Sequence, residues 1–117
     1  MSSLDFVMMN GDGSDIQKAV PLLEHFHEEL MSLLVGGPLE QYYAGADRAI
    51  PEFPLLSRAH DYYGEVSFDV AEFESLELEV QRIVPRASAE LALVLEKMVA
   101  LIHVARSQAR PILVLPD

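Results

Sequence analysis

From Leu91 to Ala105 the chain is apolar on nearly every side of a helix, interrupted only by a stripe of Glu96, Lys97 and His103. A helix of that kind has to be covered by other elements rather than lie on a surface. Ser88 is a suitable N-cap, and Arg106 and Arg110 suit the negative pole at the far end, so a central helix running to about Gln108 is expected. The stretch falls short of the ~20 apolar residues of a membrane span, which makes a buried core helix the better reading.

Leu4 to Met9 is a short apolar run that stops at the turn formers Asn10-Gly11-Asp12-Gly13, as a strand would. Ser14 with Gln17 makes a capping-box pattern for a following helix, although Pro21 requires a kink or a helix that starts only near Val20. From Leu22 to Leu34, Leu23, Phe26, Leu30, Leu33 and Leu34 share one helical face, and Gly36-Gly37-Pro38 ends the pattern. Residues 38 to 64 are broken by prolines and glycines, so loop with one or two short helical turns is expected. At the C-terminal end, Ile112 to Leu115 between two prolines is expected to be a strand, covered on both faces or at a short edge.

The stretch from Glu65 to Ile83 admits two periods. Val66, Phe68 and Val70, then Leu76, Leu78 and Val80, alternate with polar residues as in two half-buried strands joined by a hairpin. Asp69 with Glu72 also makes a capping box, after which Phe73, Leu76, Val80, Ile83 and Val84 fit a helix ending before Pro85. Leu78 falls off that helical face, which favours strands. The order of elements argues for an α+β (or α/β) single domain over residues 1–117, with a three- or four-stranded sheet covered by two long helices and one or two short ones.

With no cysteine, neither a disulfide framework nor a thiolate metal site is available. The N-terminal Met1 to Phe6 has no basic region before an apolar one, so no export signal is expected there and a cytoplasmic location fits. The net charge is -11 in a chain that is 50% hydrophobic, a combination that suits a folded body displaying negative charge rather than an acidic disordered tail. Up to Gln81 there are 16 acidic and 3 basic residues, and beyond it 5 basic and 3 acidic. Nucleic acid and anionic membrane are disfavoured partners, because both draw affinity from clustered Lys and Arg.

Catalytic and metal readings find little support. Glu24 and His27 have the spacing of two helix-borne metal ligands, but only one such pair exists and His27 falls near Met31 and Leu34, where a core-edge histidine is expected. His25 is expected to be solvated. His60-Asp61 reads as a polar loop, and His103 as a helix-surface residue. No phosphate-cradling glycine loop, nucleotide fingerprint or nucleophile elbow is present. No catalytic residue, metal or cofactor is therefore expected.

Seven acidic residues and no Lys or Arg lie between Ala59 and Gln81, with Tyr62-Tyr63 among them. Carboxylates around a tyrosine would steer a basic partner and fix its register, so Asp61, Tyr62, Tyr63, Glu65, Asp69, Glu72 and Glu74 form the expected partner-binding set. Asp61-Tyr62-Tyr63-Gly64-Glu65, followed by Phe68-Asp69, resembles the Tyr-Tyr-Gly-Glu segment of barstar-like ribonuclease inhibitors. Val7 to Gly11 and the closing strand Ile112 to Leu115 also resemble that family's first and last strands, and Phe73-Glu74 is the nearest counterpart of its Trp-Asp pair. The resemblance implies a parallel three-stranded sheet with helices, an acidic surface that plugs a nuclease active site, and contacts at Tyr62 and Asp69. The function expected is that of an inhibitor or immunity-type protein for a basic toxin or nuclease. The alternative is a homo-oligomeric subunit or adaptor whose C-terminal helix packs on a like copy.

Overall fold

A computed structural model describes residues 3–13, 15–36, 50, 52–60 and 65–116. The fold is α+β: the described residues form one four-stranded sheet and three α-helices with an apolar core between them. The elements are β1 (Ser3–Met9), β2 (Ile16–Leu23), α1 (Glu24–Val35), β3 (Val66–Phe68), α2 (Phe73–Ile83), α3 (Ala89–Ser107) and β4 (Ile112–Pro116). The strand order is β2-β1-β4-β3, and all three pairings are antiparallel. The parallel sheet implied by the barstar-like resemblance is not the arrangement found.

The helix expected around Gln17 is instead β2. Asn10 donates to Asp15 O at 2.7 Å and Gly13, at φ +75°, to Asn10 O at 2.8 Å, so the turn folds the chain straight back on β1. Once Phe6 faces Val20 and Leu4 faces Leu22, the ladder satisfies the backbone groups that a helix would have satisfied. Pro21, an obstacle to the helix, is tolerated because β2 is a sheet edge. Arg110 ties the hairpin down, its guanidinium donating to Met9 O at 3.0 Å and Gln17 Oε1 at 2.9 Å.

Leu4, Phe6 and Met8 of β1, Val20 and Leu22 of β2, Ile112 and Val114 of β4 and Phe68 of β3 form the buried row of the sheet. β4 lies inside the sheet, between β1 and β3, rather than at an edge; Leu113 and Leu115 on its second face are half-buried. α1 covers the buried row with Leu30, Met31 and Leu34 and ends at Gly36, whose φ of +73° suits a residue without a Cβ. α3 adds Leu91, Leu95, Met98, Leu101, Ile102 and Ala105. Its N-cap is the one expected, Ser88 Oγ accepting from Leu91 N, and Glu29 of α1 reaches across to accept from both Ser88 N and Ser88 Oγ at 2.7 and 2.8 Å.

The second strand expected from Leu76 to Gln81 is a helix. Val66–Phe68 is a strand, but at Asp69 and Glu72 the capping box forms and turns the chain into α2. Leu76 and Val80, two residues apart on either side of Leu78, also lie four apart, and the helix buries both with Phe73 and Ile83 while leaving Leu78 outside. The partner for β3 comes from β4 instead of from a local hairpin. Among the described residues no helix is long and apolar enough to cross a membrane.

Candidate partner-binding face

The acidic stretch divides into an inner and an outer set. Asp61, Tyr62 and Tyr63 lie outside the described residues. Glu79, on the inner side of α2, is 4% exposed. Its Oε1 accepts from Leu55 N at 3.2 Å and Leu56 N at 2.9 Å, and its Oε2 accepts from Leu55 N at 3.2 Å. It thereby satisfies the free backbone donors at the start of the helical turn Leu56–His60. The same segment is held by Arg82, which donates to Glu52 O at 3.1 Å and stacks 4.7 Å above the Phe53 ring, and by His27, whose Nε2 donates to Ala59 O at 2.7 Å.

Glu77 receives His103 Nε2 at 2.5 Å, with Arg106 at 3.7 Å, and joins α2 to α3. Glu72, expected to meet a partner, is likewise engaged inside the chain: Arg58 makes a bidentate pair with it, at 3.1 and 2.5 Å, and Asp69 N donates to it at 3.0 Å. The Arg58 hydrogen bonds, followed by the Asp69 N–H, hold the Glu72 carboxyl below the usual glutamate range, while the carboxylate raises Arg58 further above its own.

Glu65, Asp69 and Glu74 remain as the outer set. All three are exposed, and among the described residues none has a cation within 4 Å. Glu65 precedes the edge strand β3, Asp69 caps the turn into α2, and Glu74 stands on its first turn. Val70, 37% exposed, Glu74, and Leu78, 55% exposed, recur at four-residue intervals along that side. Two exposed apolar side chains, Val70 and Leu78, thus flank Glu74 along the outer side of this segment. Leu78 lies outside the expected contact set, because a strand reading gives it no outward helical position; its misfit to the helical face is the signal in the sequence, which marks an outward leucine once the segment is helical.

His27 is buried, His25 is exposed, His60 Nδ1 donates to Ser57 O at 3.0 Å, and His103 pairs with Glu77. Among the described residues no three His, Asp or Glu side chains are grouped as metal ligands would be. Compared with known proteins, the chain matches no family model, no curated protein and no solved structure.

Proposed function

We propose that this chain is a binding protein of the inhibitor or immunity type, which docks a basic protein such as a toxin nuclease on the face carrying Glu65, Asp69, Glu74 and Leu78. The observation that supports this is the outer set itself: three carboxylates with no cation of the chain within 4 Å among the described residues, together with exposed Val70 and Leu78, in a molecule of net charge -11. Charge at the rim speeds encounter and selects a cationic surface, while an apolar side chain at the centre slows dissociation. The reading rests on charge and exposure, not on the parallel sheet of barstar-like inhibitors.

Calorimetry and stopped-flow mixing with basic candidate partners, starting with the product of the adjacent gene, test it. A complex is expected whose association slows steeply with added salt and with Asp69→Ala or Glu74→Ala. Leu78→Ala is expected to speed dissociation by tenfold or more, and Tyr62→Ala to act in the same direction. Absence of a complex, or a complex indifferent to salt and to these substitutions, overturns the proposal.

A further inference from the structure

Arg110 fastens the β1–β2 hairpin with only part of its guanidinium, and we infer that the remainder binds the carboxylate of a small organic acid. Nη1 carries two N–H groups and has two acceptors, Met9 O and Gln17 Oε1, both of them neutral. Among the described residues, Nε and Nη2 have no acceptor and no carboxylate lies within 4 Å of the guanidinium. Nε–H and Nη2–H are the parallel donors along one side of the group, the pair that meets both oxygens of a carboxylate at once. In a chain with 19 acidic residues to 8 Lys and Arg, this half-buried cation is thus held by neutral oxygens, with a complete fork to spare.

Arg110 lines a cleft of about 230 Å³ where β1 ends and β4 begins. Met9, Pro111 and Leu113 give it an apolar wall, Asn10 and Gly11 lie at the turn, and among the described residues Arg110 is the one charged side chain of the lining. Two local features put the guanidinium there. A Cβ at Gly11 would lie 2.7 Å from Nη2, so only a glycine lets the group approach the turn this closely. Ala109, at φ +54°, is the one non-glycine residue with a positive φ among the described residues, and it reverses the chain so that Arg110 N donates back to Ala105 O at 2.9 Å. Glycine is the usual residue at such a helix end, and strained backbone of this kind gathers at ligand sites. One cation balances one negative charge, and a phosphate dianion would need a second cation in a molecule of net charge -11. A monocarboxylate needs only the fork, and its short aliphatic tail would cover the apolar wall.

Titration of the nitrogen-15-labelled full chain with acetate, propionate and butyrate at constant ionic strength, followed at the Arg110 Nε–H and Gly11 amide resonances, tests the inference. A saturable shift is expected, half complete at about 1–10 mM butyrate. Affinity is expected to rise about threefold to fourfold with each added methylene, as the tail covers the wall. Inorganic phosphate is expected to bind about tenfold more weakly than butyrate. Arg110→Lys keeps the charge without the fork and is expected to lose saturable binding, whereas Gln17→Ala frees an acceptor of Nη1 alone and is expected to bind as wild type does. No saturable shift well above that range, an affinity indifferent to tail length, phosphate binding as tight as that of butyrate, or binding kept by Arg110→Lys overturns the inference. Should Arg110→Lys unfold the hairpin, the tail series and the phosphate comparison on wild type decide.

Discussion

Glu74 and Glu79 stand on the same helix, five residues apart, and do opposite work. Glu79 is buried and holds the backbone of Leu55 and Leu56; Glu74 is exposed and touches no cation among the described residues. Glu72 and Glu77 fall between these extremes, each joined to a base of its own chain. A run of acidic residues is therefore not the same thing as an acidic surface. The inner side of α2 uses charge to fasten a segment whose backbone would otherwise lack partners, and the outer side leaves it available.

Five substitutions sharpen or break that contrast. Glu79→Ala should have the largest effect, because it strands two buried N–H donors: a loss of about 3 kcal/mol, or roughly 10 °C in Tm, is expected in thermal unfolding. A change as small as that of a surface residue would show that the segment after Phe53 does not depend on the inner side. Glu29→Ala, which removes the strap from α1 to the N-cap of α3, should cost about 1–2 kcal/mol in urea unfolding.

Arg58→Ala should cost under ~1 kcal/mol, because the pair with Glu72 is largely solvated. Its pH dependence has a definite sign. The Glu72 carboxyl has a lowered pKa in the folded protein, so its contribution is present above the ordinary glutamate value of about 4.3 and disappears as pH falls through the folded value. The stability gap between wild type and Glu72→Gln should accordingly be constant near neutrality and close in acid. Glu74→Gln should be the mildest, within ~0.5 kcal/mol of wild type in stability, while slowing association with a basic partner. A destabilised Glu74→Gln would place that residue with the inner set.

Much of the fold was legible in local signals. β1 stops at the turn expected of it, α1 ends at the glycine expected to end it, and α3 begins at Ser88 with its side chain in the capping role. Each is encoded by neighbours in sequence: a period, a cap, a breaker. The exposure of the acidic residues was only partly legible. Glu65, Asp69 and Glu74 are exposed, but Glu72 meets an arginine 14 residues away, a proximity no local pattern reveals. For Leu78, the alternation of Leu76, Leu78 and Val80 fits a strand, whereas Leu76 and Val80 alone fit a helix, and so short a span does not separate the two.

The sequence by itself determined which residues repel water, where α1 ends and α3 begins, and that the chain carries a large negative charge, because these depend on side-chain chemistry and on contacts within a few residues. Only the tertiary structure decided that residues 16–23 pair with β1, that β4 supplies the partner of β3, and which carboxylates face inward. Those outcomes turn on which backbone and side-chain groups meet across the sheet and between helices. Where a segment's own preferences are nearly balanced, distant partners tip the result.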